Sequence, residues 1–237
     1  MSGHNKWSQI KHKKAKEDAK RGAAFTKLIK EITVSARTGG GNPEANSHLR
    51  MLLDKAKEIN MPQENVTRAI KRGTGEFPGV TYEQFTYEGY GPFGIAIIVD
   101  TLSDNKNRTV AELRRFFSNN GGNLGESGSV SWMFDNLGVI HATGQITEDE
   151  LLEQLLEYDI KDLRCNTDFF SVYCDPKTLE SVKKIVEKIG LTIDSAELEW
   201  VAKNILSLTD NQYPKALALL SVLQNHEDVQ NVYTNLA

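Results

Sequence analysis

Cysteine is scarce in this chain of 237 residues, which holds only Cys165 and Cys174. No Cys-x-x-Cys pair occurs, so the sequence excludes a zinc ribbon and a thioredoxin-like redox motif. Two thiols in a chain of this length are typical of a reducing compartment. We expect both to be small apolar residues in or near strands, and a disulfide or metal-binding pair is the alternative.

Long apolar segments are also missing. The run Ile95 to Val99 is far short of the roughly 20 residues that a membrane-spanning helix needs. Residues 1–30 are polar and basic, without the apolar core of a secretory signal peptide or the long acid-free character of an organelle transit peptide. These absences predict a cytoplasmic protein with no membrane partner.

The motifs of several enzyme classes do not occur either. There is no His-Glu-x-x-His, no Gly-x-Ser-x-Gly and no pair of histidines four residues apart. The glycine loop Gly121–Gly125 lacks the spacing of a dinucleotide fingerprint and the ending of a P-loop. The sequence therefore nominates no catalytic residue, no metal ligand and no cofactor, and we predict a protein that is not an enzyme.

Charge, by contrast, is plentiful and uneven. The formal net charge is −4. Residues 1–78 hold sixteen Lys and Arg against eight Asp and Glu, a charge of +8, whereas the rest of the chain carries −12. Such asymmetry suggests a polyanionic partner for the basic part, and the acidic α+β body is a possible surface for a protein partner.

The densest basic cluster begins near the start of the chain. Residues 1–30 hold nine Lys and Arg against Glu17 and Asp18. Lysine suits phosphates as a point charge, and Trp7 can stack on a base or sugar. The alternative is a solvated helix face with Trp7 in the core. The candidate nucleic-acid-binding residues are Lys6, Trp7, Lys11, His12, Lys13, Lys14, Lys16, Lys20, Arg21, Lys27, Lys30, Arg37, Arg68, Lys71 and Arg72.

Apolar periodicity predicts helices through the basic part. A first helix spans about 7–20 and a second about 23–37, separated by Gly22, with the stripe Phe25, Leu28, Ile29, Ile32 and Ala36. Asn46 or Ser47 caps a third helix, with Leu49, Leu52, Leu53 and Ala56 inward. Pro62 opens a fourth helix with Val66, Ala69 and Ile70 inward, and Gly73 ends it.

Beyond residue 79 the pattern alternates between strands and helices. Asn107 is expected to cap a helix, and Arg108 beside it can face a ligand. The predicted strands are Tyr82–Tyr87, Ile95–Leu102, Val130–Phe134, Val139–Ala142, Phe169–Cys174, Ile193–Trp200, Val229–Tyr233 and a short one at Ile205–Leu208. The predicted helices are Thr109–Phe117, Glu148–Glu157, Pro176–Ile189 and Leu217–Leu223.

This order of elements predicts an α+β fold with three domains. Residues 1–78 form a basic helical nucleic-acid-binding domain. Residues 79–135 with 201–237 form one ferredoxin-like α+β sandwich, and residues 136–200 form a second one inserted in the first. Two consecutive domains divided near residue 137 are the alternative.

Several long motifs resemble the YebC/PmpR family over essentially the whole chain. They are Gly3–His12, Phe25–Leu28, Gly40–Asn46, Asn60–Pro62, Arg68–Gly73, Tyr87–Pro92, Asp104–Thr109, Gly121–Gly125 and Gly128–Val130 with Trp132 and Phe134. Asn5 and Phe93 stand where the family often has other residues. The resemblance implies an N-terminal helical domain followed by two α+β domains, the third inserted in the second, and it carries over no catalytic residue.

The resemblance also implies a role in gene expression. Family members are usually described as DNA-binding transcriptional regulators, whereas relatives such as a mitochondrial translational activator of cytochrome oxidase act at the ribosome. Lysine-rich chemistry favours phosphate contact over base readout. A regulator that binds duplex DNA and a translation factor that binds ribosomal RNA both stay open, as does an enzyme that uses an acidic cleft between the α+β domains.

Overall fold

A computed structural model describes residues 21–166 and 169–237 of the chain. The elements, in chain order, are α1 (Arg21–Gly39), α2 (Ser47–Glu58), α3 (Gln63–Gly73), β1 (Glu83–Tyr90), β2 (Ala96–Ser103), α4 (Lys106–Asn119), β3 (Asn123–Leu124), β4 (Phe134–Thr143), α5 (Glu148–Leu155), β5 (Ile160–Asn166), β6 (Phe169–Cys174), α6 (Leu179–Lys188), β7 (Thr192–Ala202), α7 (Tyr213–Gln224) and β8 (Val229–Thr234). The helix predicted at residues 7–20 lies outside the described residues.

The chain divides into two compact units. One comprises Met1–Ser131 with Ile205–Ala237, and the other comprises Trp132–Asn204, which in sequence lies between the two segments of the first. Each unit contains a four-stranded antiparallel sheet with α-helices, which confirms the α+β class. The three-domain division at residues 78, 135 and 200 stays a prediction.

The helices α1, α2 and α3 share a small apolar core. Leu28, Ile32 and Ala36 of α1 are buried, and Phe25 and Ile29 pack against the same core, which confirms the predicted stripe. A β-carbon at Gly73 would lie 2.4 Å from the backbone oxygen of Thr33, so glycine is required where α1 and α3 cross. The remaining core side chains are Leu49, Leu52, Ala56, Met61, Val66 and Ala69.

Asn46 begins α2 and also ties it to α1. Its Oδ1 accepts the backbone N–H of Leu49 at 3.0 Å, and its Nδ2 donates to the backbone oxygens of Ser35 and Gly40 at 3.0 and 2.9 Å. Of the two predicted caps, Asn46 is therefore the one used, because a side-chain acceptor satisfies an N–H that has no partner within the helix.

In the first unit, the sheet has the strand order β3-β1-β2-β8. One face packs on α4 and α7, with Ile97, Val99, Phe117 and Leu223 in the core. Every residue of β2 except Asp100 is buried. This explains its nearly continuous apolar run, which is typical of a strand covered on both faces.

The strand predicted at Val130–Phe134 is wrong over most of its length, because Ser131–Met133 form a short 3-10 turn and β4 begins after it. The buried carboxylate of Glu88 accepts the backbone N–H groups of Val130 and Ser131 at 2.8 and 2.7 Å. Those N–H groups are therefore taken by a side chain and cannot join a sheet ladder.

The predicted cap at Asn107 is also wrong by half a turn. The cap is Asn105, whose Oδ1 accepts the backbone N–H of Arg108 at 3.0 Å, and α4 starts at the next residue. Both asparagines are good caps in isolation. In the structure the helix that begins after Asn105 places Thr109 within hydrogen-bonding distance of Ser103 and Asp228.

In the second unit the strand order is β5-β6-β4-β7, and the chain order is β-α-β-β-α-β, that of the ferredoxin-like motif. The sheet of the first unit has another chain order, β-β-α-β followed by α-β. The predicted ferredoxin-like connection therefore describes the second sheet and not the first. The core of the second unit includes Ile140, Leu151, Phe170 and Val182.

The sequence patterns missed the edge strand β5. Its residues alternate irregularly, and three of the seven are charged. Edge strands tolerate such residues because charges there discourage pairing with another chain. Cys165 lies in β5 and Cys174 in β6, which confirms the prediction that both lie in or near strands. Both are free thiols, and burial raises the pKa of Cys165 to about 11.

Among the helices at residues 21–166 and 169–237, none combines the length and the apolar character that crossing a bilayer requires. In the same ranges, no three His, Cys, Asp or Glu side chains converge on a possible metal position.

Candidate nucleic-acid interface

A buried carboxylate joins α1 to the sheet of the first unit. We call α1, α2 and α3 together the helical segment. Asp228, just before β8, accepts side-chain hydrogen bonds from Lys30, from Thr109 at 2.7 Å, and from Ser103 and Arg108 at 3.1 Å each. Its own side chain is 0% exposed and that of Lys30 is 6% exposed. We call these five residues the Asp228 cluster.

The cluster holds Asp228 in its ionised form. Burial raises the pKa of Asp228, but hydrogen bonds from Lys30, Thr109 and Arg108 outweigh that effect and lower the pKa to about 2. The hydrogen bond to Asp228 in turn raises the pKa of Arg108. The carboxylate is therefore charged at neutral pH.

Two of the predicted nucleic-acid-binding lysines face the chain's own backbone. The Nζ of Lys27 donates to the backbone oxygen of Gln224 at 2.6 Å, and the Nζ of Lys30 donates to that of Glu227 at 3.1 Å. Lys30 also pairs with Asp228 and is buried. The structure thus gives Lys30 a structural role and leaves it no surface on which to meet a phosphate.

The other predicted residues divide by what the structure describes. Arg21 lies in α1, and its side chain is not among the described ones. Arg37, Arg68 and Arg72 are exposed, and Lys71 is half-buried. The candidates that lie outside the described residues are Lys6, Trp7, Lys11, His12, Lys13, Lys14, Lys16 and Lys20.

Cations gather where α1 and α3 end. A β-carbon at Gly73 would lie 3.2 Å from the backbone nitrogen of Arg37, so the last turn of α1 adjoins the end of α3, where Lys71 and Arg72 lie. Cations in the last helical turn also offset the negative end of the helix dipole, which is a structural reason for their presence. Arg68 is one turn earlier and pairs with Glu64 at 2.6 Å.

The aromatic ring of Phe77 lies beside these cations, and Phe77 is not among the binding residues predicted from the sequence. Its backbone N–H donates to the backbone oxygen of Lys71 at 3.1 Å, and the Nζ of Lys71 lies 5.3 Å from the centre of its ring. The side chain is 45% exposed. The sequence held one signal for a binding role of Phe77: it is a lone aromatic residue that follows Lys71 and Arg72 in a glycine-rich segment. We call Arg37, Lys71, Arg72 and Phe77 the basic end.

Two consecutive parts of the chain match domains of one known family. Residues 5–76 match the family described as the TACO1/YebC protein N-terminal domain, and residues 82–236 match the TACO1/YebC second and third domain. The chain belongs to the TACO1/YebC family. The earlier resemblance to the YebC/PmpR family is thereby confirmed.

Full-length relatives and a solved structure extend this result. A probable transcriptional regulatory protein of Chlorobaculum tepidum is 50% identical over 238 residues, covering 100% of this chain and 95% of the relative. One from Halothermothrix orenii is 50% identical and covers 99% and 94%. The crystal structure of a conserved hypothetical protein from Aquifex aeolicus has 43% identity and a TM-score of 0.85, covering 98% of this chain and 96% of that one.

We predict that Lys30→Met destabilises the protein by about 3 kcal/mol, because removing one partner of a buried ion pair leaves the other charge poorly compensated. The free energy of unfolding can be measured by urea denaturation. The matched control is Lys57→Met, since Lys57 pairs with Asp54 in an exposed position and should change stability by less than about 0.5 kcal/mol. Equal effects of the two substitutions would contradict the structural role of Lys30.

The Asp228 cluster also predicts a dependence of stability on pH. The pKa of Asp228 is lowered in the folded protein, so its contribution is fully present above about pH 4 and is lost as the pH falls toward 2. Between pH 5 and 2, the wild type should lose about 2 kcal/mol more than Asp228→Asn, which has no carboxyl group to titrate. Parallel pH profiles for the two proteins would reject the lowered pKa.

Proposed function

We propose that this chain is a non-enzymatic, cytoplasmic regulator of gene expression that binds nucleic acid through its N-terminal helical segment. The observation that carries the proposal is the +8 charge of residues 1–78, together with the exposed cations of the basic end. Relatives that are about 50% identical over their whole length are named probable transcriptional regulatory proteins, which supports a regulatory role at the level of the family.

Within that role, we propose DNA-binding transcriptional regulation as the first candidate. The acidic second unit supports a directed contact, because residues 132–204 hold fifteen Asp and Glu against seven Lys and Arg. A polyanion is repelled by such a surface and attracted to the helical segment. The same acidic unit suits a protein partner with a basic surface, which we include in the proposal.

A ribosome-associated translation factor that binds ribosomal RNA is the second candidate. Two observations favour it: the lysine-rich composition of residues 1–30 and the exposed ring of Phe77 beside Lys71. Lysines contact phosphates without reading base edges, and exposed aromatic rings stack on unpaired bases, which RNA offers in its loops and bulges.

Binding should depend steeply on salt. If about five N-terminal cations neutralise phosphates, log affinity for a DNA duplex should fall against log salt concentration with a slope of about −4 to −5. Replacing Lys11, Lys13, Lys14 and Lys16 with Ala should weaken binding and flatten that slope, as measured by fluorescence anisotropy. The control replaces four exposed lysines of the second unit, Lys161, Lys177, Lys184 and Lys188, and should bind like the wild type. Unchanged affinity of the N-terminal variant would reject the assigned site.

Crosslinking in cells, followed by sequencing of both DNA and RNA, separates the two candidates. A transcriptional regulator is expected to enrich promoter DNA, and the four-lysine N-terminal variant should lose that enrichment. Recovery of ribosomal RNA without promoter DNA would reject the first candidate in favour of the second.

A further inference from the structure

The turn between β1 and β2 presents an aromatic ring at an unfavourable backbone conformation. Phe93 has φ 63° and ψ 17°, in the left-handed region that glycine adopts readily and other residues adopt at a cost. Gly94 follows with φ 81°. The backbone N–H of Gly94 donates to the backbone oxygen of Gly91 at 3.3 Å, so Phe93 is the third residue of a turn whose second residue is Pro92. A positive φ at that third position favours glycine or asparagine.

Burial does not compensate for this backbone strain, since the Phe93 side chain is 45% exposed. A turn that only had to connect two strands would be more stable with glycine at this position. Non-glycine residues held in the left-handed region cluster at functional sites, because the surrounding structure is used to present the side chain. The exposed ring of Phe93 is therefore a candidate for binding a ligand.

An ammonium group lies beside the ring. The Nζ of Lys215, in the first turn of α7, is 5.9 Å from the centre of the Phe93 ring. Over residues 21–166 and 169–237, no ion pair includes Lys215, and the first turn of α7 has no acidic residue. The charge of Lys215 is therefore available to an anion.

Glycine in the neighbouring turn leaves room for this lysine. Gly121 has φ 75°, and a β-carbon there would lie 3.1 Å from the Nζ of Lys215. A β-carbon at Gly122 would lie 2.5 Å from the backbone oxygen of Tyr90. Side chains at these two positions would displace the ammonium group and separate the turn from β1.

We propose that Phe93 and Lys215 form a binding site for an unpaired nucleotide of a single-stranded nucleic acid. The ring stacks on the base, and the ammonium group contacts the adjoining phosphate. A nucleotide carries both features, and stacking on an aromatic ring tolerates any base. Double-helical DNA keeps its bases stacked on one another, so it can use Lys215 but not Phe93.

This site rests on the proposed nucleic-acid-binding function and makes it more specific. It is formed by the turn between β1 and β2 and the first turn of α7, and it uses no residue of the basic end. Loss of the Phe93 ring should therefore reduce affinity for single strands while leaving affinity for a duplex unchanged. That separation of effects distinguishes the site from the helical segment.

The test measures fluorescence anisotropy of full-length protein with labelled ten-nucleotide single strands of RNA and of DNA, and with a blunt DNA duplex. Phe93→Gly should weaken binding of single strands about tenfold and change duplex binding less than twofold. The same substitution should raise the midpoint of thermal unfolding, since glycine relieves the backbone strain. Greater stability with weaker binding excludes misfolding as the cause.

Conservative variants sharpen the assignment. Phe93→Tyr keeps the ring and should bind like the wild type. Lys215→Gln should weaken binding and flatten the salt dependence for single strands by about one phosphate contact, whereas Lys215→Arg should retain both. A larger effect on RNA strands than on DNA strands would identify RNA as the source of the nucleotide, and the reverse would identify DNA.

Three outcomes overturn the proposal in distinguishable ways. If the wild type binds single strands and Phe93→Gly binds them equally well, the site is rejected while the proposed function stands. If the wild type binds none of the three probes, the proposed function is rejected and the site with it. Equal weakening of single-strand and duplex binding by Phe93→Gly would also reject the site, because a blunt duplex offers no unpaired base that could stack on the Phe93 ring.

Discussion

The burial of Asp228 is the constraint on which the attachment of the helical segment depends. A carboxylate withdrawn from water is stable only if donors and opposite charges replace its hydration. Asp228 obtains them from α1, from the end of β2 and from the start of α4. Moving α1 away would leave Asp228 short of a cation and Lys30 short of an anion. The pairing of these buried charges therefore holds the helical segment against the first sheet.

This constraint divides the N-terminal cations by role. Lys27 and Lys30 are turned toward the backbone of the first unit, whereas Arg37 and Arg72 remain exposed at the basic end. Counting charges along the sequence treats all of these side chains alike. Lys30 drops out of the proposed interface, and among the described residues its exposed cations lie where α1 and α3 end.

The first unit combines two kinds of chemistry that a regulator of gene expression can use. Exposed cations supply affinity for any phosphate backbone, with little dependence on sequence. The strained, exposed ring of Phe93 beside Lys215 supplies a surface that fits an unpaired base. Together, the proposed contacts would direct a protein with general affinity for nucleic acid toward places where bases are not paired.

Periodicity and capping chemistry determined much of the fold from the sequence alone. The stripe of α1 and the cap at Asn46 follow from local rules that act within a few residues, and the family motifs identified the relatives. The tertiary structure decided what local rules cannot. The carboxylate of Glu88 accepts N–H groups of a segment that was predicted to be a strand. Asn105 rather than Asn107 caps α4. Lys30 pairs with a residue 198 positions away in the sequence. Glu88 and Asp228 are buried carboxylates that needed partners distant in sequence, and only the folded chain brought those partners to them. Two nearby asparagines could each have capped α4, and local rules did not separate them.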